Sequence, residues 1–293
     1  MRADEERGDG HGGALPLLTG FDHATIVVRH VDAAVQSYER LLGAPPVWRG
    51  RHPELGTVGA LFGLSNAVIE LVGPGEGAPE ADGLRALLDA HGEQVQAIAF
   101  RTADADACSA ALRQRGVRAT PPQEGEAHAD DGSVRRYRTV DLSPRATRGL
   151  SVLAVERAAE LPGVPGGDVA LDHVVLRTAQ PDAAVALYGR DLGLRLALDR
   201  TFGATRMLFF RIGGVTLEVV EDASAGEKDA FRGLAYRVGD IDAANARLRA
   251  EGLNVSEVRD GAKPGTRVFT VREGTCGVPT LILRDPSRDR APR

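Results

Sequence analysis

One segment of this chain occurs twice. Residues 21–44 (FDHATIVVRHVDAAVQSYERLLGA) lie over residues 171–194 (LDHVVLRTAQPDAAVALYGRDLGL) without a gap and agree at ten of 24 positions. A second pair, 95–117 over 231–253, agrees at nine of 23. Internal repetition of this kind limits the chain to architectures built from copies of one supersecondary unit. All four segments read alike: a short β-type apolar run, an Asp at the following turn, an Ala-rich amphipathic helix, and a closing Gly (Gly43, Gly116, Gly193, Gly252). Strand-like runs follow each helix, at about 45–52, 57–64 and 66–73 in the first unit and 194–201, 205–212 and 214–221 in the third. Ser65-Asn66 and Gly213-Gly214 suit the last hairpin of each. One helix per four strands excludes a doubly wound parallel sheet, which needs a helix between most strands. The expectation is an α+β fold of four βαβββ modules, with curved, mostly antiparallel sheets around clefts.

The boundaries follow from composition. Residues 1–18, charged and Gly-rich, read as a disordered tail. Modules 1 and 2 occupy 19–156 and modules 3 and 4 occupy 171–284. Between them, 157–170 is Pro/Gly-rich and reads as a linker, and 285–293 reads as a loose polar tail. A short helix is expected near 82–90, and the aperiodic stretch 120–133 reads as a loop. The net charge of −5 disfavours nucleic acid as a partner. No apolar run is long enough for a membrane span, and the N-terminal residues lack a secretory h-region, so the expected location is the cytoplasm. Two cysteines make neither a disulfide framework nor a Cys-rich zinc site.

The repeats carry chemistry-bearing residues with them. His23 and Glu70 open and close the first unit, and His173 and Glu218 do the same in the third. Where first and last strands are neighbours, each imidazole faces its carboxylate. Such a pair suits a divalent cation or a proton-transfer couple. The plainer alternative is a polar strand start and a solvent-facing Glu, and the recurrence of both residues weighs against it. The even units carry Arg101 and Arg237 at matching positions, with Arg136, Arg138, Arg267 and Arg272 on later strands. A guanidinium in a cleft would clamp a carboxylate or phosphate. Tyr236, Tyr137, Trp48 and Phe62 are candidates to line a pocket.

This grammar, Asp-His-strand, Asp-Ala-Ala-helix-Leu-Gly and a closing strand-Glu, resembles the vicinal oxygen chelate superfamily of glyoxalases, bleomycin-resistance proteins and extradiol dioxygenases, and its glyoxalase-like branch in particular. The resemblance implies paired modules around a cleft, with metal ligands from first strands (His23, His173) and last strands (Glu70, Glu218). It implies a divalent metal (zinc, nickel, manganese, magnesium or iron) and a small-molecule substrate, in a monomer or homodimer. Glu70 and Glu218 would be the catalytic carboxylates, and Arg101, Arg237 and Tyr236 substrate-binding residues. The even modules depart from the pattern: Ala97, Gly233, Leu153 and Leu281 stand at the remaining ligand positions. With consecutive modules paired, each cleft holds one His and one Glu; His52 and His91 are candidates for a third ligand. Pairing module 1 with module 3 would instead collect all four ligands. The activity this resemblance implies is metal-assisted isomerase, epimerase or lyase chemistry on a small oxygenated compound. The alternatives are sequestration of a small molecule without catalysis and, less well matched, dioxygenation.

Overall fold

The computed structural model describes residues 17–159 and 168–288. The expected tail up to residue 16, the centre of the expected linker and residues 289–293 lie outside them. Module 1 comprises β1 (Gly20–Val27), α1 (Val31–Leu42), β2 (Trp48–His52), β3 (Thr57–Gly63) and β4 (Val68–Pro74). The expected short helix, α2 (Asp82–His91), leads to module 2: β5 (Gln94–Arg101), α3 (Ala105–Gln114), β6 (Gln123–Ala129), β7 (Val134–Asp141) and β8 (Ser151–Arg157). Module 3 is β9 (Ala170–Thr178), α4 (Pro181–Ala184, widening into a π-helical stretch Val185–Asp191), β10 (Arg195–Phe202), β11 (Thr205–Ile212) and β12 (Val215–Glu221). Module 4 is β13 (Ala230–Arg237), α5 (Ile241–Ala250), β14 (Arg259–Asp260), β15 (Arg267–Val271) and β16 (Thr280–Arg284). None of the helices among the described residues is long and apolar enough to cross a membrane.

The helices begin and end for local reasons. Asp104 and Asp240 cap α3 and α5 by accepting from the N–H groups of Ala107 and Ala243. The odd modules do this differently. Asp32 and Asp182 fall inside the first turn and pair with Arg49 and Arg206 of the neighbouring strands, where a carboxylate also suits the positive helix end. Gly43, Gly116, Gly193 and Gly252 all take φ between 75° and 81°, the left-handed region that ends a helix.

Within each odd module the first strand lies parallel beside the last, β1 on β4 and β9 on β12. Modules then pair consecutively, β1 antiparallel to β5 and β9 antiparallel to β13. The four-ligand arrangement, which needs module 1 against module 3, is therefore not formed. The two eight-stranded sheets differ in closure. In the first half β2 meets β6 at Gly50–Ala129 and Arg51–His128, which closes a barrel. Glycine permits this: a Cβ on Gly50 would strike the His128 carbonyl. The expected loop 120–133 thus contains β6, a polar strand whose ladder partners stabilise it in place of apolar periodicity. In the second half β14 has only two residues, and the sheet stays open with β10 and β14 at its edges.

The halves dock reciprocally through their last odd-module turns. The Asn66 side chain accepts from Leu171 N–H and donates to Leu171 C=O, both at 2.9 Å, so a hairpin residue extends the ladder of β9. Conversely, Gly213 packs against the start of β1, where a Cβ would meet Gly20 and Phe21. One continuous apolar core spans both halves. The C-terminal segment also departs from expectation. Asp285 is buried, 286–288 form a helical turn, and Arg288 reaches back to Gly214 C=O and Thr216. Its polar groups are used to tie the segment back to module 3.

Candidate active site

Strand alternation would send Asp22 and His23 to opposite faces of β1. A bulge prevents this: the register against β5 slips between Phe21 and His23, and the same slip recurs between Ala235 and Tyr236 opposite Asp172 in β9. Bulges re-aim side chains in this way beside functional sites. As a result Asp22 Oδ1 lies 2.6 Å from His23 Nδ1, and Asp172 lies 3.1 Å from His173 Nδ1. Asp22 is 1% exposed and also holds Arg157, the last residue of β8. Burial alone would raise its pKa, but the hydrogen bonds from His23 and Arg157 outweigh it and hold the carboxyl far below the usual range. A carboxylate on Nδ1 fixes the imidazole and leaves Nε2 facing the site.

Glu70 stands one register step beyond. It pairs with Thr25, two residues along β1 from His23, so all three side chains share a face. Nε2 of His23 lies 3.5 Å from Oε2 of Glu70, and Thr25 donates to the same oxygen at 2.7 Å. The second half repeats the pair, with His173 Nε2 at 3.7 Å from Glu218, but Val175 stands where Thr25 would be. The two carboxyls consequently diverge. Burial pushes both up, yet His23, His52, the Thr25 hydroxyl and Arg157 bring Glu70 below the ordinary carboxylate value. Glu218, held by His173 alone and opposed by Asp172, stays above it.

The first barrel encloses a cavity of about 400 Å³, inside the range of small-molecule sites. His23, Thr25 and Glu70 form one wall. His52, Arg135, Tyr137, Thr139, Arg157 and the apolar Val72, Leu153 and Val155 complete it. Residues 135, 137, 139 and 141 of β7 point inward by alternation, and Arg136 and Arg138 point outward to Glu126 and Asp106. Arg267 likewise pairs outside with Asp242. Burial lowers the pKa of His52, and burial raises Tyr137 to about 12, so its phenol remains a donor at neutral pH.

The other expected site residues are used elsewhere. Arg101 and Arg237 each place Nε 3.5 Å from the Asp beside the site histidine, so they hold Asp22 and Asp172 and do not line the cavity. Tyr236 was expected in a pocket. It points to the opposite face of β13 and is fully buried in the core, like its counterpart Phe100. His91 ends α2, exposed. Arg135, Arg157 and Thr25 were not anticipated. The duplicated Asp-His dipeptide was the signal for Asp22.

The resemblance implies a divalent metal between the first and last strands of a half. His23 and Glu70 are close enough to share an ion, but the third and fourth positions are Ala97 and Leu153, and no cluster of three His, Cys, Asp or Glu occurs among the described residues. Enzyme sites ordinarily supply three protein ligands. A guanidinium, Arg157, lies 3.4 Å from His23 Nδ1, on the side of the imidazole that Asp22 holds, and adds a positive charge to the same cavity. The residues do not fit a tightly held cation in either half.

The sequence profile of the Glyoxalase-like domain matches residues 21–192, and that of the Glyoxalase/Bleomycin resistance protein/Dioxygenase superfamily matches residues 170–288. No curated protein sequence matches the chain. Among solved structures, a variant of 4-hydroxymandelate synthase from Streptomyces coelicolor superposes with a TM-score of 0.70 at 15% identity, covering 91% of this chain and 92% of that one. A hypothetical protein from Staphylococcus aureus gives 0.62 at 8% identity, covering 90% and 98%. Methylmalonyl-CoA epimerase from Mycobacterium tuberculosis is 30% identical over 51% of this chain and 95% of its own, with a TM-score of 0.41. The chain, with its four βαβββ modules in two tandem halves, belongs to the glyoxalase/bleomycin resistance/dioxygenase superfamily, the vicinal oxygen chelate proteins.

Proposed function

We propose that the first half is a metal-independent proton-transfer site acting on a small oxygenated compound, with isomerase, epimerase or lyase chemistry as its class. The observation that carries this reading is the Asp22–His23–Glu70 chain opening into the barrel cavity. Glu70 is ionised, hydrogen-bonded and adjacent to an imidazole, so it can take a proton from a carbon acid while His23 Nε2 relays or returns it. Asp22, locked by Arg157, keeps the imidazole aimed. Tyr137 keeps its proton and can donate to the oxygen where charge develops. The second half has the same pair without the Thr25 hydroxyl, its carboxyl is pushed up by burial, and its sheet stays open, so the reading is placed on the first half, where the barrel closes around the pair.

A second reading, sequestration without turnover, draws support from the apolar replacements Ala97 and Leu153 at ligand positions. One experiment separates the two. Chelator-treated protein is incubated in D2O with a panel of chiral 2-substituted and 2-oxo carboxylic acids, and C–H exchange is followed by NMR. The expected result is exchange that survives chelation and falls at least ~100-fold in Glu70→Gln and His23→Ala. Saturable binding without exchange supports sequestration; exchange only after adding a divalent metal refutes the metal-free reading.

A further inference from the structure

Of the two arginines that line the cavity, one has a carboxylate partner and one has none among the described residues. Arg157 is committed to Asp22, and Glu70 to Thr25 and His23. Arg135, on the inward face of β7, remains. Its guanidinium lies 4.9 Å over the ring of Trp48, and its Nη1 is buried without a hydrogen-bond partner. Among the described residues no carboxylate pairs with it. Burial beside Arg157 brings its pKa down to about 10, which still leaves it cationic at neutral pH. A desolvated guanidinium with unused donors is costly unless something supplies acceptors. Its place over the Trp48 ring steadies the cation, and a guanidinium fork can make two parallel N–H···O bonds to a carboxylate.

The exposed acids of the same cavity limit what that partner can be. Glu54 and Glu124 are exposed and Glu126 is half-exposed, so they sit at the mouth. Glu124 and Glu126 are balanced by Arg138 and Arg136, and Glu54 forms no ion pair among the described residues. A ligand reaching Arg135 passes these carboxylates. One planar, singly charged group is accommodated, and a second negative charge near the mouth is repelled.

We infer that Arg135, stacked on Trp48, is the receptor for a single carboxylate of the ligand, and that the acidic mouth excludes polyanions such as phosphate esters. This rests on the proton-transfer reading for its importance to turnover, but it concerns binding and is tested without turnover. Calorimetric titration of the full chain with benzoate, pyruvate, benzamide and phenyl phosphate provides the test. For wild type, saturable binding of at least one of the two carboxylates is expected, with benzamide and phenyl phosphate at least ~10-fold weaker than benzoate. Arg135→Met is expected to weaken carboxylate binding by ~10- to 100-fold, with Arg135→Lys intermediate because it keeps charge and loses the fork. Near-ultraviolet circular dichroism checks that both variants fold; if Arg135→Met does not, the Lys variant and the benzamide comparison decide. Equal carboxylate affinity in wild type and the Arg135 variants, tighter binding of phenyl phosphate, or no binding of either carboxylate overturns the inference. Glu70→Gln, by contrast, is expected to bind benzoate within a few-fold of wild type. Loss of exchange in Glu70→Gln with intact carboxylate binding therefore separates failure of the base from failure of the receptor.

Discussion

Thr25→Val copies into the first half the residue that the second half already has at the same register position, Val175. The two side chains have nearly the same shape, so the change removes a hydroxyl and little else. What is lost is the 2.7 Å hydrogen bond to Oε2 of Glu70, a carboxylate with a side chain only 16% exposed. A hydrogen bond to a charged acceptor contributes about 1.5–3 kcal/mol. The folded pKa of Glu70 lies below its unfolded value of 4.5, so its ionised form stabilises the fold above that pH, and this contribution is lost as pH falls through the folded pKa. Removing the hydroxyl raises the folded pKa toward the behaviour of Glu218. The variant should therefore lose about 1.5–3 kcal/mol at pH 7, roughly 3–10 °C in Tm, and progressively less in acid. The assay is urea unfolding at steps from pH 7 to pH 4, followed through Trp48, the single tryptophan, which sits in the same half. A difference that is absent at pH 7, or equally large at pH 4, refutes the claim that Thr25 acts by stabilising ionised Glu70. The reciprocal change Val175→Thr should lower the Glu218 pKa, which carboxyl-selective NMR titration would record.

Further expectations follow from the same geometry. Glu218 has a folded pKa above its unfolded value, so its contribution is present in acid and lost as pH rises through the folded pKa; Glu218→Gln should be more stable relative to wild type at pH 7 than at pH 4 in denaturant unfolding, with Glu70→Gln changing in the opposite sense. Asp22→Asn leaves Arg157 without its buried partner, which costs about 3–5 kcal/mol, and a thermal melt within 2 °C of wild type would contradict it. Asn66→Ala strips two hydrogen bonds from the buried Leu171 backbone and should cost at least about 2 kcal/mol, with faster amide exchange at Leu171 as its local signature.

Sequence alone made the modules and the His–Glu pairs readable because duplication printed them twice and because a β-strand keeps i and i+2 on one face. Facing residues across β1 and β4 followed once first and last strands were neighbours. Parity on unpaired strands was not readable. The run Val134 to Asp141 contains three arginines, and alternation says that Arg135 opposes Arg136 and Arg138 but not which set faces inward. That choice is made by the register with β6, a strand without apolar periodicity. The same ambiguity misplaced Tyr236, one step from the inward face. The bulge at Asp22 was likewise invisible, because two adjacent polar residues on one strand ordinarily diverge.

Closure and charge together explain why equal inheritance did not leave equal halves. Gly50 lets β2 and β6 meet, which closes the first sheet into a walled cavity around His23, Glu70 and Arg135. A partly desolvated site strengthens the remaining interactions there, so His23, His52, the Thr25 hydroxyl and Arg157 together hold the Glu70 pKa below its ordinary value. The second sheet keeps the imidazole and the acid but loses the hydroxyl, leaves its edges apart and sets Arg237 and Arg288, the latter from the C-terminal turn, at 3.5 and 3.6 Å from Asp172. A site differs from its copy here through one missing hydroxyl and one unformed strand pair, so transplanting function requires both. Val175→Thr alone should lower the pKa of Glu218 without creating a ligand site, because no single side chain can supply the wall that β2–β6 pairing provides.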